Sequence, residues 1–265
     1  MYVIIFNTRM GFLSKMKYSH VLIPKSFLKG FSKKSGDGKV VEVLNLSNNT
    51  ISTEKIKTLG TAENYFSGDA ELYLNKNIEQ PIGVISRLLK GFEKNILTEI
   101  ALTKKDNETI IRFLYYCLLR RRETVKIVNE NSIASQIIGT IPPEALFNLA
   151  ELTTEANIFS GMIANILINR SGYGFVIPQN CYYQMVKIEG GEAIYTYILP
   201  VNPNAAFIIE REENHKKAKY AVVENKSKVE TLNMLALKAE QSGDNGFIVS
   251  KSIDELIPLQ NYLSK

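Results

Sequence analysis

Between Asn107 and Glu123 the chain carries apolar residues at Ile110, Ile111, Phe113, Leu114, Cys117 and Leu118. The stretch Asn107–Arg120, which also holds Tyr115, Tyr116 and Leu119, reads as apolar on most of a helix circumference. Such a helix needs apolar partners on nearly every side, so the rest of the chain must fold around it. Asp106 is the expected N-cap. The same argument leaves no exposed membrane-binding helix here, and no other stretch holds the roughly 20 apolar residues that a span requires.

The flanks supply different material. Residues 39–46 alternate as a strand, Ser47, Asn48, Asn49 and Thr50 form a turn cluster, and residues 51–58 return as the second strand of a hairpin. Residues 69–76 read as a short helix. Residues 78–92 show a helical stripe of Ile82, Ile85, Leu88, Leu89 and Phe92, with Pro81 in the first turn. Pro142 and Pro143 open another helical stretch, whose apolar positions run on to Ile168 with possible breaks near Thr153 and Gly161. Beyond it, residues 172–177, 182–188, 193–199 and 205–209 read as short strands, with Gly190-Gly191 as a hairpin turn. Residues 228–241 form an amphipathic helix with Leu232, Leu235, Ala236 and Ala239 on one face. A strand at 246–250 and a helix at 253–263 follow.

This order predicts an α+β fold. A helical middle, about 69–168, packs with β-hairpins and a C-terminal antiparallel sheet plus helices. Residues 1–15 read as an N-terminal extension or an edge strand at 2–6, and 16–265 as one domain. No signal peptide is recognisable in the first residues. Cys117 and Cys181 form no CxxC pair, and Cys117 lies inside an apolar helical pattern. A buried thiol and a reducing cytoplasm are the expectation.

The chain has 265 residues and a net charge of +5, with 27 acids mixed among 32 bases. That balance permits a nucleic-acid or other anionic partner without requiring one. There is no P-loop, GxGxxG, GxSxG or EF-hand pattern, so the common nucleotide and hydrolase classes are disfavoured and no cofactor is expected. Gly172-Tyr173-Gly174 is only a GxG in a turn.

Candidate chemistry centres on the run from Ser19 to Phe31. It places His20, one of two histidines, four residues before Pro24, with Phe27, Leu28 and Phe31 at helical spacing. His20 suits a general base, a metal ligand or a hydrogen-bonding strut. No HxE, HExxH or HxxxH pattern surrounds it, so no metal site is expected. Glu63, Glu151 and Asp254 could each orient it. His215 sits in a charged loop. Arg120, Arg121 and Arg122 suit a helix C-terminus and could also hold phosphate. Lys15, Lys17, Lys25, Lys29, Lys33 and Lys34 surround the His20 run. With Tyr18, Phe27 and Phe31 between them, they allow a nucleic-acid surface or a solvated face.

The chain resembles the domain-of-unknown-function family 4238, a bacterial family without an assigned activity. The resemblance spans about residues 18–263. It rests on His20, Pro24, Leu28 and Phe31, on Glu63-Asn64-Tyr65-Phe66, and on the helix from Phe113 to Arg120, where Cys117 replaces a Gln. It rests further on Ile198 to Pro203 and on Asn233. A Ser-Asp-x-Pro element of that family is replaced by Pro178-Gln179-Asn180-Cys181, so Asn180 cannot ionise here.

These observations yield one expected site. His20 acts as base or hydrogen-bond donor, Arg120 holds an anion, and Asn64 and Asn180 bind substrate. Two functions follow. One is a cytoplasmic enzyme acting on nucleic acid or another phosphate-bearing substrate, of the toxin or phage-defence type. The other is a non-catalytic ligand-binding or protein-interaction module. Convergence of His20, Asn64, Arg120 and Asn180 would favour the first.

Overall fold

The computed structural model describes residues 18–20, 22–36, 38–63, 72–93, 102–120, 161–211, 220–241 and 246–265. The edge strand expected at 2–6, Asn64, Arg121, Arg122, Glu151, His215, the end of the central helix and the Pro142-Pro143 helix lie outside these residues.

The N-terminal hairpin is β3 (Gly38–Asn45) and β4 (Thr50–Lys55), with Val43 opposite Ser52. Its turn is built by side chains. Asn45 Oδ1 accepts from the Ser47 N–H, Asn48 Oδ1 accepts from the Thr50 N–H, and Asn49 takes a φ of 52°. Asn tolerates that left-handed backbone better than most residues. The hairpin belongs to a sheet ordered β2–β3–β12–β7, using β2 (Lys33–Ser35), β12 (Phe247–Ser250) and β7 (Ile177–Pro178), with β4 also on β3. The C-terminal strand predicted at 246–250 therefore joins the N-terminal hairpin.

The larger sheet runs β11–β6–β10–β9–β8, comprising β6 (Met162–Asn169), β8 (Tyr183–Glu189), β9 (Glu192–Asn202), β10 (Ala205–Arg211) and β11 (Tyr220–Val223). It is antiparallel except that β11 runs parallel to β6. The helical reading of residues 162–168 is thus corrected: Met162–Asn169 is a central strand. It is flanked on both edges and carries apolar residues toward both faces, so its sequence is nearly continuous in hydrophobicity. Such a run cannot be told from a buried helix by period alone. Residues 172–176 are irregular, and of the strand predicted at 172–177 only Ile177 pairs, together with Pro178 beyond it.

Helices cover both sides. Ala205, Phe207 and Ile209 of β10 pack into a cluster with α1 (Lys25–Phe31), α2 (Gln80–Glu93) and α3 (Lys104–Arg120). The alternate residues Ala206 and Ile208 pack toward α4 (Lys226–Glu240) and α5 (Ile257–Leu263). This alternation is the period-2 pattern of a strand buried on both faces. Both helices and sheets are substantial, as the α+β class requires.

The central helix lies where its pattern demands. Ile110, Ile111, Phe113, Leu114 and Cys117 are all buried, and Phe113 meets Phe27 of α1 at a ring separation of 4.9 Å. Its start differs from the expectation. Thr103 is the capping residue, its hydroxyl accepting from the Asp106 N–H, while the Asp106 carboxylate accepts from the Thr103 N–H and hydroxyl. That is the reciprocal pattern of a capping box, with Asp106 at its third position. Pro81 lies in the first turn of α2, as expected, but the helix does not begin there. Helical backbone continues through it from residue 72, with a π-helical turn at Asn75–Glu79. A proline ring clashes with the carbonyl four residues back, and the widened turn accommodates it.

Candidate functional site

The N-terminal arm explains its own motif. β1 (Tyr18–His20) pairs with β5 (Thr61–Glu63), placing His20 opposite Thr61. Pro24 then starts α1, its carbonyl accepting from the Phe27 and Leu28 N–H groups at 3.0 and 3.1 Å. Phe27, Leu28 and Phe31 are fully buried. The side chains of His20 and of Arg120, the last residue of α3, lie outside the described residues, as does all of Asn64.

The arm meets the turn that follows β7. Cys181 Sγ lies 3.5 Å from the Leu22 carbonyl, which accepts its weak hydrogen bond. On the other side, Gly60 lies against Leu22, so that a β-carbon there would sit 3.5 Å from Leu22 Cβ. Two residues of extended chain span about 7 Å at most, so the His20 backbone is held within that distance of Leu22. The structure therefore brings Leu22, two residues after the His20 strand, against Cys181, the neighbour of Asn180. It does not place Asn64 or the Arg120 side chain in this junction.

The turn is tightly specified. The Cys181 N–H donates to the Pro178 carbonyl at 2.8 Å, and Cys181 has a φ of 69° while fully buried. A left-handed backbone at a non-glycine residue costs on the order of 1–3 kcal/mol and persists only where surroundings enforce it. One enforcing group is Glu240. Its Oε1 accepts from the Asn180 N–H at 3.1 Å and from Asn180 Nδ2 at 2.7 Å. A carboxylate can only accept, so the Asn180 amide must turn its NH2 toward Glu240 and its carbonyl oxygen away. Asn180 is thereby fixed as an acceptor.

Glu240 is 3% exposed and ends α4, where the helix dipole disfavours an anion. A buried carboxylate in that position is tolerated for the turn it holds. The buried stripe of α4 is Val229, Asn233, Ala236, Leu237 and Glu240. The expected Leu232, Leu235, Ala236 and Ala239 pack against the same cluster, and two polar residues, Asn233 and Glu240, join the buried side. Asn233 accepts from the Val176 N–H at 3.0 Å and donates to the Gly174 carbonyl at 2.9 Å. At the helix start, the Lys226 ammonium lies 4.9 Å over the Tyr173 ring. Residues 173–180 thus run alongside α4 from its first residue to its last.

At the Tyr173 end, the Gly172-Tyr173-Gly174 loop joins a cleft of about 420 Å³. Its other walls come from Lys33, from the β9–β10 turn at Pro203 and Asn204, and from Lys251, Ser252, Ile253 and Glu255 after β12. Glu255 ties these walls together. Its carboxylate accepts from the Gly174 N–H, the Ser250 hydroxyl and the Ser252 N–H at 3.1, 2.8 and 2.9 Å. Burial, reinforced by Glu230, Glu255 and Asp254, pushes the Tyr173 phenol up to about 12, so it stays a neutral donor to the Asp254 carbonyl.

Sequence reasoning missed Glu240, Glu255 and Lys251. Glu240 and Asn233 had a usable signal, since they share a helical stripe with Val229 and Ala236. Glu255 had one too: Ser252-x-x-Glu255 is a capping-box spacing, and both of its reciprocal bonds form. Among the described residues no group of three His, Cys, Asp or Glu could hold a metal, and no helix is long and apolar enough to cross a membrane. No protein-family model, curated protein or solved structure matches the chain.

Proposed function

We propose that this protein is an enzyme acting on a phosphate-bearing substrate, with single-stranded nucleic acid the first class to test, and that its site is the junction of the His20 arm and the Asn180 turn. The observation that carries this reading is the turn itself. A buried carboxylate, Glu240, clamps Asn180 through two hydrogen bonds, beside a left-handed, fully buried Cys181 that touches the arm at Leu22. Strained backbone enforced from outside is characteristic of working sites.

In this reading His20 is the base, Arg120 the phosphate-holding group, Asn64 a further substrate contact and Asn180 an acceptor that orients substrate or water. The exposed Lys25, Lys29 and Lys34 near the arm, with the net charge of +5, supply attraction for an anion. Two buried free thiols suit a reducing cytoplasm. Titration of labelled single-stranded RNA and DNA, followed by anisotropy and by cleavage, tests the reading. Asn180→Ala and Arg120→Ala should each weaken binding or turnover about tenfold or more, as expected for hydrogen bonds to charged groups. Binding that both variants retain at full strength would instead support a module that uses another surface. Absence of binding and cleavage by the wild type would end the proposal.

A further inference from the structure

The cleft at the Gly172-Tyr173-Gly174 loop is a second, separate place. α4 joins the two regions end to end, with Lys226 at Tyr173 and Glu240 at Asn180. Its 15 residues span about 22 Å at 1.5 Å per residue. The cleft therefore does not depend on the function proposed for the arm and turn.

Its hydrogen-bonding groups are unevenly used. Several of the acceptors around it are committed to the protein, although the exposed Asp254 carboxylate beside it takes only the Ser252 hydroxyl among the described residues. Both Glu255 oxygens are engaged, as above. The Tyr173 carbonyl accepts from Asn169 Nδ2 and the Ser171 hydroxyl, and the Gly174 carbonyl accepts from Asn233. The Pro203 carbonyl accepts from the Phe175 N–H, and the Asn204 carbonyl from the Asn169 N–H. The cationic donors are not consumed in the same way. Lys33 shares its ammonium with the buried Glu42, yet its side chain is 48% exposed and an ammonium has three donors. Lys251 also lines the cleft and is exposed, and among the described residues it has no carboxylate partner. Gly172 leaves the mouth open, since a β-carbon there would meet nothing within 4 Å.

A cavity of this size falls within the range of small-molecule sites. Committed acceptors and available ammonium groups select a ligand rich in acceptors and negatively charged. We propose that this cleft binds a compact phosphate monoester, its phosphate held between Lys33 and Lys251 and its remainder lying against Gly172 and Asn204.

Chemical-shift mapping on the full chain tests this with glycerol 3-phosphate, inorganic phosphate, and sodium chloride at matched ionic strength. The monoester should give saturable shifts at Gly172, Asn204 and Lys251, and should bind more tightly than inorganic phosphate. Lys251→Ala should weaken it about tenfold, the loss expected for one charge-assisted hydrogen bond, and Lys251→Arg should restore most of the affinity. Lys251 is the residue to change because removing Lys33 would leave the buried Glu42 without its cation. Shifts that fail to saturate, that chloride reproduces, or that Lys251→Ala leaves unchanged would overturn the proposal, as would inorganic phosphate binding as tightly as the monoester.

Discussion

The Glu240 carboxylate takes two hydrogen bonds from one residue, Asn180, at 3.1 Å from its backbone N–H and 2.7 Å from its side-chain amide. That pair joins the last residue of α4 to the turn beyond β7. It also decides which end of the Asn180 amide faces outward. Removing the carboxylate should therefore be felt in both stability and geometry. Glu240→Ala leaves two part-buried donors without their acceptor, at a cost of about 1–3 kcal/mol. Urea unfolding should show this loss, and Glu240→Gln, which keeps an acceptor oxygen, should lose less. Equal stability of Glu240→Ala and wild type would remove Glu240 from the account.

Gly30 sits inside α1, where alanine would ordinarily gain up to about 1 kcal/mol. Here an added β-carbon would lie 2.7 Å from the Val201 carbonyl oxygen and 3.3 Å from Asn202 Cβ. The nearer obstacle is backbone, so the helix or β9 must move. Overpacking of this kind costs about 1–3 kcal/mol, which outweighs the gain in helix propensity. Gly30→Ala should lower the thermal midpoint. A higher midpoint would mean that α1 is not seated on β9 as described.

Alkaline pH should destabilise the fold through its buried phenols. Tyr173 is pushed from 10.0 up to about 12 by burial first and then by Glu230, Glu255 and Asp254. Burial raises Tyr183 and Tyr197 as well, the latter with a smaller contribution from Tyr195. The unfolded chain releases these protons at a lower pH than the folded one, so it binds fewer protons across the interval. Stability is full below about pH 10 and falls as pH rises from about 10 toward 12. Urea midpoints measured from pH 8 upward should show this decline, and Tyr183→Phe should make it shallower. A midpoint that stays level through pH 11 contradicts the burial of these residues.

Much of the fold was legible because period and burial agree. The hairpin at β3 and β4, α2, α3, and the β8 to β10 meander lie within a few residues of where alternation or helical stripes put them. The failures share a physical cause. Met162–Asn169 is buried on both faces, so its Ile163, Ile166, Leu167 and Ile168 carry no alternation to read. On α4 the apolar residues Leu232, Leu235, Ala236 and Ala239 do face the core, but Asn233 and Glu240 are buried polar groups that satisfy backbone and turn, and a count of apolar residues passes over them. The parallel pairing of β11 with β6 depends on long-range order that no local pattern encodes. Of the site, the His20 motif was legible as a signature, and Pro24, Phe27, Leu28 and Phe31 prove to be its architectural part. The meeting of Leu22 with Cys181 joins positions 159 residues apart, beyond any spacing rule.

The central claim is that the arm and turn form a working site rather than a strut, and His20→Ala tests it most directly. Cleavage of labelled single-stranded RNA and DNA and the thermal midpoint should be measured on the same preparation. If His20 is the base, cleavage should fall by about 10²–10⁴-fold, the usual contribution of a positioned acid or base, while the midpoint stays nearly unchanged. A variant destabilised by about 1–3 kcal/mol, yet as active per folded molecule as the wild type, would contradict the claim and make His20 a structural tie.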